Sequence, residues 1–173
     1  LYSEIMELPK KAIITAAGSG TRFLPATKAQ PKEMLPIIDK PIIQYCAEEV
    51  ADSGAEDIII VTKKSGHSTE NHFDDNFELE TYLKENGKDH YLKEVMKSSN
   101  LGNFIFLRQK NSMPYGNATP LSIAKDLVSD GPFYYLYGDD LTLSDTPVCK
   151  QLAEVLEKNP DASAVVAAYE VPD

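Results

Sequence analysis

Two glycines and three basic side chains stand close together near the start of the chain. Gly18 and Gly20 are followed by Arg22, Lys28 and Lys32, all within the run Ala17–Pro36. Glycines directly after an apolar stretch let the backbone turn sharply and aim N–H groups at an anion. The cations behind them add a local concentration of positive charge. Much later, Asp139 and Asp140 follow Gly138. Paired carboxylates in such a place suit a hard cation such as Mg2+, which takes oxygen ligands. Together these residue types point to phosphate chemistry assisted by a divalent ion.

Other readings of the same residues fail on spacing. A dinucleotide fingerprint needs a third glycine where Phe23 stands, and a P-loop needs a glycine at that same position. His67, His72 and His90 have no partner at metal-ligand spacing and read as structural or surface residues. Cys46 and Cys149 are too few and too far apart for a disulfide framework or a zinc site. Cys46 falls in an apolar helical pattern and reads as a small core residue. Tyr134, Tyr135 and Tyr137 lie along one apolar run and read as packing residues rather than base-stacking ones.

These groups need elements to position them. Lys11–Ala16, Asp57–Thr62, Phe104–Arg108, Phe133–Tyr137 and Ser163–Tyr169 are short, β-branched or aromatic, and predict strands. The first two are almost continuously apolar, as in central strands covered on both faces. Helical patterns lie between them. Pro41–Ser53 ends before Gly54, Phe77–Asn86 follows Asn76 and ends before Gly87, Ala118 to Val128 has Asn117 as its cap, and Thr146–Lys158 ends before Asn159-Pro160. The region Lys63–Asn103 reads as an excursion of small polar helices at the surface. Strand–helix alternation implies a parallel sheet with crossover helices. In such sheets ligands sit outside the carboxyl ends of the strands. The glycine loop, Gln109 and Asp139 each follow a separate predicted strand, so three distant segments converge on one edge.

The 173 residues read as one domain, residues 1–173, able to bury roughly 70% of its unfolded surface. A hydrophobic content of 42% and a charged content of 25% fit a soluble globular protein. With 17 basic against 27 acidic residues the net charge is −10, which argues against a nucleic-acid partner. No apolar run reaches the ~18 residues needed to span a bilayer, so no membrane partner is expected. Leu1–Lys11 lacks the apolar core of a signal peptide. A cytoplasmic location is the expectation.

The run Gly18-Ser19-Gly20-Thr21-Arg22-Phe23-Leu24-Pro25-Ala26-Thr27-Lys28, followed by Pro31-Lys32-Glu33-Met34-Leu35-Pro36-Ile37-Ile38-Asp39-Lys40-Pro41, resembles the signature of sugar-phosphate nucleotidyltransferases. Its second half is most similar to the bacterial UTP–glucose-1-phosphate uridylyltransferase branch. Glu70-Asn71-His72-Phe73-Asp74 and Asn76-Phe77-Glu78-Leu79-Glu80 resemble a segment of that same branch. The likeness runs from about Lys11 to Asp145. It implies an α/β fold: a Rossmann-like layered sheet of mostly parallel strands with helices on both faces, the nucleotide-diphospho-sugar transferase fold. The family extends well past Asp173, and this chain also lacks an initiating Met, so it reads as C-terminally truncated. The missing part is expected to hold a second metal carboxylate, the sugar-phosphate contacts and dimerisation elements.

The resemblance also implies roles. UTP binds along Ala17, Gly18, Gly20, Thr21, Lys28 and Glu33, Gln109 reads the uracil edge with its amide, and Gly116 allows close approach to the base. Where the family usually has histidine after that glycine, this chain has Asn117, so a contact from an imidazole does not carry over. Arg22 acts on the leaving pyrophosphate, Lys32 on charge near the α-phosphate, and Asp139 holds Mg2+, while Asp140 is variable. Glucose 1-phosphate is the implied second substrate, and a homo-oligomer the implied full-length form. A glucose-1-phosphate thymidylyltransferase and a non-catalytic nucleotide-binding module are the alternatives.

Overall fold

The near-continuous apolar runs form the middle of a parallel sheet. The computed structural model describes residues 8–63, 66–168 and 170–171, and residues 1–7 of the Leu1–Lys11 segment lie outside that range. Strands β1 (Lys11–Ala16), β4 (Asp57–Thr62), β5 (Asn103–Arg108) and β6 (Phe133–Tyr137) are ordered β5-β4-β1-β6. All three pairings are parallel, with Ile13 opposite Ile59 on one side and Tyr135 on the other. A two-stranded antiparallel ribbon, β2 (Pro36–Ile37) and β3 (Lys40–Pro41), lies apart from the sheet.

Alternate side chains of the central strands enter two separate cores. Ala12, Ile14, Ile58 and Ile60 pack with Ile43, Cys46, Ala47 and Val50 of helix α1 (Ile42–Asp52) and with Cys149 and Ala153 of helix α6 (Val148–Lys158). On the opposite face Ile13, Ile59 and Val61 meet Ala124, which ends helix α5 (Ala118–Ala124), and Val128. Both faces are therefore covered, which is why the strands show no polar alternation. Each such isoleucine contributes about 1.5–3 kcal/mol of transfer free energy.

The chain between β4 and β5 carries helices α2 (His67–Phe73), α3 (Phe77–Glu85) and α4 (Asp89–Ser99). Asn76 caps α3 as its sequence predicts, accepting from Leu79 N–H at 3.1 Å while Glu80 Oε1 accepts from Asn76 N–H at 3.0 Å. The excursion is more than a surface appendage. Phe73 is buried and stacks on Phe104 of β5 with centroids 4.4 Å apart, so the segment is a crossover packed onto the sheet. Residues 64 and 65 of it lie outside the described range.

Two expectations need correction. Asn117 does not cap α5 with its side chain: its backbone is already helical at φ −69°, ψ −23°, and the amide instead donates to Tyr137 Oη at 3.2 Å. Residues 163–168 are unpaired, although Ser163–Tyr169 has strand-like composition, and Tyr169 itself is not described. Strand propensity records fit to a pleated, half-buried surface and supplies no partner by itself. Here the segment runs beside an apolar cavity of about 730 Å3 flanked by β6 and α6.

The strand order also fixes where a ligand can sit. From β1 the chain passes to β4 on one side and later returns to β6 on the other. The crevice at the carboxyl ends of β1 and β6 is the point where strand order reverses.

Candidate active site

The loop after β1 is folded back on itself by short-range bonds. Gly20 adopts φ 61°, a left-handed conformation suited to glycine, and Thr27 Oγ1 donates to its carbonyl at 2.6 Å. Three single 3₁₀ turns follow, Thr21–Phe23, Ala26–Lys28 and Lys32–Met34. The last returns Lys32 and Glu33 beneath the glycines. A Cβ placed on Gly18 would lie 2.6 Å from Lys32 Cε, so glycine is what lets that side chain pass.

The decisive contact joins this loop to the end of β6. Lys32 Nζ lies 2.5 Å from Asp139 Oδ2, with both side chains partly shielded from solvent. Gly138 makes the approach possible, since a Cβ there would meet the Thr15 carbonyl at 2.9 Å and Glu33 Cγ at 3.4 Å. The two adjacent aspartates separate. Asp139 faces the cleft, whereas Asp140 turns through its N–H to the Tyr137 carbonyl at 3.1 Å and borders the large apolar cavity behind β6.

The cleft itself holds about 110 Å3 and collects residues from three strand ends. Ala17 and Gly18 line it from the β1 loop, with Lys32 and Glu33 behind them, and Asp139 lines it from β6. Gln109 and Gly116 line it from the segment after β5. Gln109 is 7% exposed and extends the sheet, its N–H donating to the Thr62 carbonyl at 2.8 Å. Gly116 has φ 151°, while nothing lies within 4 Å of a Cβ built there. Its need for glycine is therefore conformational rather than steric. Gly20, Thr21, Arg22 and Lys28 stand outside the lining, and the last three are exposed on the 3₁₀ turns.

Burial sets the protonation tendencies. Burial raises the Glu33 carboxyl above its ordinary range, against the lowering effects of its own backbone bond and Lys32. It is 1% exposed, and Oε2 has no partner among the described residues. Cys46, behind β6, is pushed to about 12 by burial and then by Asp139 and Asp140, so its thiol stays protonated and unreactive.

Five lining residues carry no ligand-facing signal in the sequence: Thr15, Tyr115, Asn117, Pro120 and Tyr137. Lys63 was missed altogether. It directly follows β4 and donates from Nζ to Ser19 Oγ at 3.2 Å. The rule that ligands gather at strand carboxyl ends was the one signal that could have found it.

The family model described as Nucleotidyl transferase matches residues 11–173, nearly the whole chain. The chain belongs to the nucleotidyl transferase family. It is 50% identical over 168 residues to the UTP–glucose-1-phosphate uridylyltransferase of Staphylococcus haemolyticus, covering 97% of this chain and 57% of that one. Among solved structures it is similar to a UTP-bound UGPase from Acinetobacter baumannii, with TM-score 0.80, 36% identity, and coverage of 88% of this chain and 54% of that one. It is likewise similar to a UDP-glucose pyrophosphorylase complexed with UDP-glucose, with TM-score 0.74, 37% identity, and coverage of 88% and 55%. This chain thus spans little more than half the length of the curated relatives it matches.

Within this nucleotidyl transferase fold, the donor set limits what metal the cleft can hold. No group of three or more His, Cys, Asp or Glu side chains converges as a metal cage among the described residues. The cleft offers the Asp139 carboxylate, with the unpartnered Glu33 oxygen nearby in sequence to Lys32. Mg2+ binds through one or two carboxylates plus waters and substrate phosphates. The residues therefore fit a divalent ion that arrives with a phosphorylated ligand. No helix among the described residues is long and apolar enough to cross a membrane.

Proposed function

We propose that this chain is the nucleotide-binding portion of a uridylyltransferase that makes UDP-glucose and pyrophosphate from UTP and glucose 1-phosphate. The observation that carries the reading is the meeting of Lys32 and Asp139 at 2.5 Å, across the strand-order reversal, at the wall of a glycine-lined cleft. The 50% identity to a curated enzyme of that activity supports the choice of base and sugar.

In this reading the backbone at Ala17, Gly18, Gly20 and Thr21 presents N–H groups to the UTP phosphates, with Lys28 adding charge. Gln109 pairs with the uracil edge, and Gly116 lets the backbone approach the base. A phosphate oxygen of glucose 1-phosphate attacks the α-phosphorus. The new P–O bond forms as the bond from the α-phosphorus to the bridging oxygen breaks, and the electron pair leaves with pyrophosphate. A phosphate oxygen is already nucleophilic, so the chain supplies alignment and charge neutralisation rather than a general base. Lys32, on a flexible stem, moves from Asp139 to charge near the α-phosphate, and Arg22 receives the departing pyrophosphate. Glu33 supports Lys32 from beneath. Asp139 would hold Mg2+, which would supply further charge neutralisation on the phosphates.

The cytoplasm is the compartment, and a homo-oligomer the assembly, that this reading implies. The test is pyrophosphate release with Mg2+, comparing UTP with dTTP and glucose 1-phosphate with other sugar phosphates in the full-length protein. Release that requires UTP and glucose 1-phosphate is expected. Turnover with dTTP but not UTP would move the chain to the thymidylyl branch, and UTP binding without release would leave a non-catalytic nucleotide-binding module.

A further inference from the structure

Five lysines of this acidic protein, Lys10, Lys11, Lys32, Lys40 and Lys97, each hold a carboxylate within salt-bridge distance. Lys63 does not. Among the described residues its ammonium is held by a hydroxyl, Ser19 Oγ at 3.2 Å, and lies 5.7 Å from the centroid of the Tyr115 ring. In a chain of net charge −10, a cation that settles on neutral partners keeps its charge available for something else.

Its position says what that is. Ser19 follows Gly18, which lines the cleft, and Tyr115 is a cleft wall that is 85% exposed. From the end of β4, Lys63 therefore reaches the glycine loop at Ser19 and stands beside the Tyr115 ring, at the border of the cleft. Its charge also reaches the cleft floor, where it draws the buried Glu33 carboxyl downward against burial. An anion resting on the Gly18–Gly20 amides would be within reach of a side chain already bonded to the residue between them.

We propose that Lys63 is a phosphate-binding residue of this cleft, acting on the polyphosphate of a nucleoside triphosphate and not on its base; the proposal rests on the reading of the cleft as the UTP site. Lys63 is the fourth cation of the site, contributed by β4 and independent of the Arg22–Lys32 loop. On binding it exchanges a neutral acceptor, the Ser19 hydroxyl, for an anionic phosphate oxygen, so that both partners of the bond are charged.

The experiment is calorimetric titration of UTP and of UMP into the full-length protein, as wild type, Lys63→Met and Lys63→Arg. Loss of one charged hydrogen bond predicts about tenfold weaker UTP binding in Lys63→Met, unchanged UMP binding, and recovery of most UTP affinity in Lys63→Arg. Equal UTP affinity in wild type and Lys63→Met overturns the proposal. So does equal loss of UTP and UMP in both variants, because that would mark a residue shaping the loop. Wild-type protein that binds neither nucleotide would instead overturn the uridylyltransferase reading, and this inference with it.

Discussion

Two polar clusters pack against the same sheet, and they differ in whether their hydrogen bonds close. On α1, Gln44 is 4% exposed, accepts from His72 Nε2 at 2.9 Å and donates to Glu48 Oε1 at 3.0 Å. Glu48 also holds Lys40 at 2.5 Å and Lys97 at 3.2 Å, and Ser98 donates to the His72 carbonyl at 3.0 Å. At the cleft, among the described residues, Glu33 keeps an unpartnered oxygen and Lys63 has only neutral partners, and the Lys32–Asp139 pair is partly open to solvent. Burial drives His72 and Glu33 the same way, toward their neutral forms: the imidazole pKa falls and the carboxyl pKa rises. Glu48 goes the other way. Burial opposes its charge, but hydrogen bonds from Lys40, Gln44 and Lys97 outweigh that and hold its pKa low. The closed cluster binds α2 and α4 to α1, whereas the open one keeps its capacity for a ligand.

Substitution separates the two most sharply at Lys32. Removing a donor that stabilises developing charge costs ~10²–10³ in turnover, and Lys32→Met should show that loss in pyrophosphate release. Its stability should change by no more than about 1 kcal/mol, because the pair it leaves is partly exposed. A large fall in melting temperature with turnover preserved would erase the distinction. The closed cluster should respond in the opposite sense. Gln44→Leu keeps the volume but strands His72 and Glu48, at about 2 kcal/mol. For a domain of this size that lowers the melting temperature by roughly 4–8 °C, with turnover per folded molecule unchanged.

Gly18→Ala tests how finely the open site is set. The added Cβ would meet the far end of the flexible Lys32 side chain and no backbone. The fold should tolerate it, but Lys32 is pushed from its place under the loop. Nucleotide affinity should weaken about tenfold, equivalent to 1.4 kcal/mol, with little change in melting temperature. Unaltered affinity would mean that Lys32 reaches the phosphates by another path.

Much of the scaffold was legible because the central strands carry their own signal. Continuous apolar runs at Lys11–Ala16 and Asp57–Thr62 are matched residue for residue, since burial on both faces leaves no competing pattern. The convergence of the glycine loop with Gln109 and Asp139 at one cleft followed from the strand-end rule. Other features depend on three dimensions. The Lys32–Asp139 contact joins residues 107 apart in sequence, and nothing local to either announces the other. Asn117 reads as a cap by type, yet Tyr137 supplies a competing acceptor from another element. Ser163–Tyr169 has strand composition without a described strand beside it. Lys63 carries no motif, and only its place after β4 marks it.

The smallest expected effect concerns His72 and the closed cluster's response to acid. Burial holds the folded-state pKa of His72 below the ordinary 6.5. Above that value both folded and unfolded imidazoles are neutral, and the shift contributes fully to stability. As pH falls through the window from 6.5 to the folded pKa, the unfolded chain takes up a proton that the folded chain refuses, and stability is lost. The depressed Glu48 carboxyl acts in the same direction, but only below its ordinary 4.5. Melting curves from about pH 7 to about pH 5 therefore leave Glu48 out, and the raised Glu33 carboxyl, which acts in the opposite sense, is common to wild type and variant, so the difference between them reports the histidine. His72→Gln, which retains an N–H donor for Gln44, should flatten the decline in melting temperature over that range while leaving turnover at neutral pH intact. Equal slopes in the two proteins would show that the imidazole is solvated in both states. The closed cluster would then hold its shape through Glu48 and its lysines alone.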